Sequence, residues 1–219
     1  MRLQNDLLIM NAILDLQRVI LKPSSSIGNI LHYIYLIARK LKSEELIKFC
    51  ELEIYGYFKS NINEVPYYRW IKGNLLTKNT ETGEIFTLPA SDLESVKILR
   101  DSISRLENYN YDEKFFINIT IDSNIDIELR RKHKIDNNFL IYLKVNKTEI
   151  DHAIYLIKSK ALEFSCQLED LNVLGDNWSF SEEEVKKITN YHIETVQNMA
   201  NHGTNSTIIQ NTEFNRFPK

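Results

Sequence analysis

The chain predicts an α+β fold: an N-terminal three-helix unit, a small antiparallel β region, two long C-terminal helices and a polar C-terminal tail. Three observations carry this. Apolar residues recur at three- and four-residue steps through residues 1–57 and again through 147–200, the helical period. Between 66 and 146 the pattern shifts to short runs rich in Tyr, Trp, Phe and Ile bounded by turn residues, as strands require. Only six glycines and four prolines occur in 219 residues, too few for a sandwich dense in turns. The length is ample for a core. Residues 1–200 read as one domain and 201–219 as an Asn/Thr-rich tail.

The first helix is expected over Leu3–Leu21. Leu3, Leu7, Met10, Leu14 and Leu21 form one stripe and Ile9, Ile13, Leu16 and Ile20 a second beside it, so a broad arc is buried. Gln17 falls within the first stripe and would need a buried hydrogen-bond partner. Pro23 and the serines after it break the helix. Ser26 caps the second helix, whose apolar face is Ile27, Ile30, Leu31, Ile34, Ile37, Ala38 and Leu41. Ser43 caps the third, Glu44 and Glu45 favour its first turn, and Gly56 supplies a left-handed residue to end it.

From Pro66-Tyr67-Tyr68-Arg69 a strand is expected to run on to Leu76, turn through Thr80–Gly83 and return over Glu84–Leu88 until Pro89. Ser91 or Asp92 then starts a fourth helix carrying Val96, Leu99, Ile103 and Leu106. A further strand pair follows, Phe115–Ile121 and Phe139–Val145, with the basic run Arg130 to Lys134 on the connection between them. After Asn146 comes the most regular pattern: Ile150, Ile154, Ile157, Ala161, Phe164, Leu168 and Leu171 along one seam. Past Gly175, Ser181 and Glu184 make a capping box for a last helix, in which Val185, Ile188, His192 and Met199 share a face.

One stretch concentrates the chemistry. Leu46, Phe49, Cys50, Glu53 and Tyr57 share a face of the third helix, which sets a carboxylate in an apolar and aromatic stripe. Burying it alone costs several kcal/mol, and Arg69, on the next element, is the nearest candidate partner. Glu53, Tyr57, Tyr68 and Arg69 are therefore the candidate catalytic or binding residues. Two bland readings stand beside this: a structural ion pair clamping the helix to the sheet, or a Glu53 that points sideways into water. As an enzyme, the arrangement would be a metal-independent ribonuclease. Glu53 would act as general base, Arg69 or the basic run would hold phosphate, and a Tyr would donate the proton. That reading requires an open cleft.

The remaining signals mostly exclude. A net charge of −3 gives no global pull toward nucleic acid or membrane. Locally, Arg130, Arg131, Lys132 and Lys134, with His133 or Tyr142 near for stacking, could hold a phosphate backbone; a solvated loop is the alternative. His32, His133, His152, His192 and His202 are isolated, Glu51 and Glu53 point to different faces, and no Gly-rich phosphate loop exists. No metal, nucleotide or other cofactor is expected. Cys50 and Cys166 read as small buried hydrophobes in a reducing compartment, and the sequon Asn118-Ile119-Thr120 is silent there. No apolar span approaches the ~20 residues that cross a bilayer and no signal cleavage site is present, so the expected location is the cytoplasm. The tail, polar around Ile208 and Ile209, cannot fold alone. It either frays or pairs with another copy as an edge strand, giving a homo-oligomer.

Three segments together resemble the AbiTii-type family of bacterial abortive-infection proteins. They are Leu14-Asp15-Leu16-Gln17 leading through Pro23-Ser24-Ser25-Ser26; Glu53-Ile54-Tyr55-Gly56-Tyr57 followed by Pro66-Tyr67-Tyr68-Arg69; and Leu168-Glu169-Asp170 through Gly175 to Ser179-Phe180-Ser181 and Glu184. One departure is Ile54, where the family pattern has Leu after the Glu, and residues 85–147 carry no family motif. The polar repeat at Ile208-Ile209-Gln210-Asn211 is similar to those that follow this domain. The resemblance implies phage defence, in which infected cells stop growing or die before phage matures. Its recurring polar residues fall on Gln17, Glu53, Tyr57, Tyr68 and Arg69. It implies a phage or host protein, or a co-encoded defence partner, as the binding partner.

Overall fold

Residues 11–91, 94–109 and 115–190 are described by the structure, a computed structural model. The helical unit forms where the apolar periods predict it, as α1 (Ala12–Leu21), α2 (Ile27–Leu41) and α3 (Glu44–Tyr55). The buried residues of α2 are the same ones expected from its spacing. Ser26 Oγ accepts the Asn29 N–H at 3.2 Å. The Glu107 carboxylate adds a second cap, taking the Ile27 and Gly28 N–H groups at 2.6 and 3.2 Å, where the helix dipole favours an anion.

In α1 the second stripe is the buried one: Ile13, Leu16 and Ile20 are sealed, whereas Leu14 is half-buried and Leu21 exposed. The expected residues Leu3, Leu7, Ile9 and Met10 lie outside the described part. Gln17 sits at the rim and donates to Glu169 at 2.8 Å; its partner is on the surface, not in the core. Ser43 makes no side-chain cap. Gly56 does take positive φ (+89°), but with ψ 170° it swings the chain away from the helix instead of coiling it left-handed.

The strand expected over Tyr67–Leu76 is three pieces. Tyr67–Arg69 is a turn of 3-10 helix, followed by β1 (Trp70–Lys72) and β2 (Asn74–Asn79). The break falls at Gly73, where a Cβ would lie 2.7 Å from Leu143 Cγ and 2.8 Å from the Lys144 carbonyl. β1 pairs antiparallel with β4 (Val96–Ile98), while β2 joins β3 (Ile85–Thr87) through the predicted Thr80–Gly83 turn. The fourth helix is thus shorter than expected: Val96 belongs to β4, and α4 spans only Ile103–Glu107 after a Ser102 cap. Residues 96, 99, 103 and 106 fit a helical period, but the unpaired edge of β1 claims 96–98, a tertiary override of local preference. Asp92 lies outside the described residues.

β5 (Phe116–Thr120), α5 (Ser123–His133) and β6 (Phe139–Asn146) complete the sheet, whose order is β3-β2-β6-β5 with every pair antiparallel. The basic run is not a hairpin loop. Arg130 to His133 form the last turn of α5, and Lys134 ends it in the left-handed conformation; cations there complement the helix dipole. One sheet face, with Leu75, Ile141, Leu143 and Val145 at its centre, joins the helices in one contiguous core.

α6 (Lys147–Asp170) is the predicted long helix and buries Ile150, Ala153, Ile157, Ala161, Phe164 and Leu168. Cys50 is buried, but Cys166 lies off this seam and is exposed. No helix among the described residues is long and apolar enough to cross a membrane.

α7 (Glu182–Asn190) opens with the expected capping box, and the structure adds a second role for it. Glu184 accepts the Ser181 N–H and hydroxyl at 2.7 and 2.9 Å, and also the Leu174 and Gly175 N–H groups at 2.9 and 3.0 Å. The carbonyls of Leu174 and Gly175 in turn accept the Ile13 and Ala12 N–H groups at 3.2 and 3.0 Å, so this link caps α1. Burial acts to raise the Glu184 pKa, but the hydrogen bonds from Ser181, Gly175 and Leu174 outweigh it and hold the carboxyl below its ordinary value. A depressed folded pKa adds stability above the unfolded value of about 4.3, lost as pH falls through the folded one. Thermal unfolding measured against pH should show a decline beginning near pH 4. Glu184→Gln should melt lower at neutral pH and show a flatter acid limb.

Candidate functional site

The site assembles from α3, the turn at Tyr67–Arg69 and the segment before α4. Glu53 is on the buried face of α3 one turn before Tyr57, and Gly56 directs Tyr57 back inward. Glu53 and Arg69 are both 0% exposed. Glu53 Oε1 accepts the Tyr57 hydroxyl at 2.6 Å and the Tyr68 hydroxyl at 2.7 Å. Its Oε2 pairs with Arg69 Nη2. Arg69 Nη1 donates to the Asp101 carbonyl at 2.8 Å, and the guanidinium lies 5.2 Å from the centre of the Tyr57 ring. Among the described residues Arg69 Nε has no partner. All four residues expected to carry the site therefore converge, around a carboxylate with charge-assisted donors on both oxygens.

Burial, and then the Glu53 charge, push the hydroxyls of Tyr57 and Tyr68 well above their ordinary pKa. Burial works to lower the Arg69 pKa, but the Glu53 carboxylate outweighs it and raises it. Both tyrosines are therefore held as neutral donors and Arg69 as a cation. Burial also pushes the Cys50 thiol up, so it is not a nucleophile at neutral pH.

A second layer was not legible from spacing. Arg100 Nη1 donates to the carbonyls of Tyr57 and Ser60 at 2.7 and 2.8 Å, and the Tyr57 N–H donates to the Arg100 carbonyl at 2.8 Å. Asp101 receives the Tyr109 hydroxyl at 2.7 Å and Arg105 at 3.2 Å. Gly56 permits this approach: a Cβ there would stand 2.5 Å from the Arg100 carbonyl oxygen. The Arg100 contacts span 40 and 43 residues of sequence, beyond the reach of any periodicity.

Gln17 lies elsewhere, on α1 against Glu169. The basic run is also apart from the cluster and is partly committed. Arg130 binds Asp126 at 2.7 Å and the carbonyls of Asp136 and Phe139 at 2.9 Å each, and Lys132 binds Glu94 at 2.8 Å. Arg131 and Lys134 are exposed. Among the described residues no group of three His, Cys, Asp or Glu side chains comes together.

The fold and this cluster define an α+β domain in which a helix and the turn leading into the first strand are locked by a solvent-free Glu–Tyr–Tyr–Arg network. The AbiTii family model matches residues 12–193, and the chain belongs to the AbiTii family, which points to abortive-infection defence against phage. No curated protein matches the chain, and no solved structure does.

Breaking a buried pair from one side leaves an uncompensated charge and costs about 3–5 kcal/mol. Arg69→Ala should therefore lower the melting temperature by roughly 10 °C or more, read by circular dichroism. Tyr68→Phe, which removes one of several donors, should cost much less. Gly56→Ala should also destabilise strongly, because both φ and space oppose it.

Proposed function

We propose that the chain is a cytoplasmic interaction or effector module of abortive infection. In this reading it recognises a phage or host protein, or a co-encoded defence partner, through the surface that the buried cluster shapes. The observation supporting it is an alternation of aromatics. Turning Tyr57 and Tyr68 inward sends their neighbours outward, leaving Tyr55 72%, Phe58 64% and Tyr67 46% exposed. Aromatic side chains are the common anchors of protein interfaces. Glu53 has no exposed surface, so in this reading the cluster acts by fixing the two turns that display these rings.

The ribonuclease alternative needs a substrate atom at the Glu53 carboxylate. Glu53 has no exposed surface and both its oxygens are taken, which favours the interaction reading. Assembly through residues 201–219 is a separate expectation on residues outside the described part.

The test is a plaque assay in a host expressing the full chain. Phe58→Ala with Tyr67→Ala should abolish protection while melting within a few degrees of wild type. Full protection by this folded double variant would remove the proposal. Purified protein that degrades RNA, and stops doing so in a folded Glu53→Gln variant, would replace it with the enzymatic one.

A further inference from the structure

The two edges of the four-stranded sheet differ. β3 is a short edge, preceded by Glu84 and followed by Pro89, both devices that discourage pairing. β5 itself carries no such residue, its nearest charges being Lys114 and Asp122 beyond its two ends. Residues Phe115–Ile121 read Phe-Phe-Ile-Asn-Ile-Thr-Ile, without a charge or a proline, a composition strongly disposed to pair with another strand. Phe115 is 64% exposed at its start.

The ladder shows which backbone groups face outward. The Lys147 N–H donates to the Phe115 carbonyl at 2.8 Å, in register with the β5–β6 pairing. Hydrogen-bonded pairs alternate along an antiparallel ladder, so Ile117 and Ile119 bond to β6, and Asn118 and Thr120 point their N–H and C=O groups away from it. Among the described residues these groups of Asn118 and Thr120 have no partner, and both residues are exposed.

Ile117 and Ile119 flank Asn118 symmetrically, with an apolar residue, Phe115 or Ile121, at either end. We infer that β5 pairs antiparallel with β5 of a second copy, on a two-fold axis at Asn118. In that register Asn118 faces Asn118 and the two exchange both N–H···O bonds. Their side-chain amides meet on one face, while Ile117 and Ile119 pair across the axis on the core-facing side. An uncharged strand offers no repulsion to its own copy. The result is an eight-stranded sheet continuous through two molecules, an isologous contact that closes as a dimer. This inference is independent of the aromatic surface proposed above.

The test is sedimentation equilibrium of the full chain across the micromolar range, where the mass should rise toward twice 25.8 kDa. Asn118→Pro removes only an outward N–H and leaves the bonds to β6 intact. Asn118→Lys sets like charges on the axis. Each should weaken self-association by more than about tenfold with an unchanged circular dichroism spectrum. Hydrogen exchange in the peptide covering 115–121 should slow as wild-type concentration rises. A chain that stays monomeric would overturn the inference. So would a dimer that survives both Asn118 variants, or one lost instead on Ile85→Lys at the other edge or on removal of residues 201–219.

Discussion

The molecule depends on keeping one carboxylate satisfied in the absence of water. Glu53 projects from α3 into the core, and an ionised group there is tolerable only if its acceptor capacity is met by positioned donors. Two hydroxyls and a guanidinium meet it, and they come from different elements. That requirement fixes the direction in which α3 ends, the course of the chain through Pro66–Arg69, and the place where the Asp101 carbonyl must lie to receive the other side of Arg69. Replacing the network with hydrocarbon of similar volume could hold these parts as firmly. What a charge network adds is a defined geometry, since each donor tolerates little displacement.

A comparable economy appears at the helix ends. α2 borrows Glu107 from α4 as a cap, and α1 takes its first acceptors from the Leu174–Gly175 carbonyls. Glu184 holds that same link from its other side. Distant segments are thus joined through backbone groups that each helix would otherwise leave open, and these joints bind the C-terminal helices to the N-terminal unit.

Much of the fold was legible because burial follows period. The face of α2, the buried stripe of α3 including Glu53, the seam of α6 and the Ser181–Glu184 box were all readable from spacing alone. The pairing of Glu53 with Arg69 was legible too, because a lone carboxylate in an apolar stripe demands a cation and one followed closely. Val96–Ile98 misled because their spacing satisfies two periods, and only the open edge of β1 decides between them. The basic run misled because charges at a helix terminus resemble charges in a loop. Lys42 and Lys134 end their helices in the left-handed conformation, where sequence reasoning looks for glycine. Arg100 and Asp101 left no trace at all, since carbonyl contacts carry no residue signature.

Gly73 has a consequence for how the molecule moves. The polypeptide passes from the helical half's small ribbon to the large sheet through one residue pressed against Leu143 and Lys144, with no slack on either side. Only the backbone torsions of Gly73 separate the last residue of β1 from the first of β2, so any change in the angle between ribbon and sheet must be taken up there, where a side chain would have to displace Leu143.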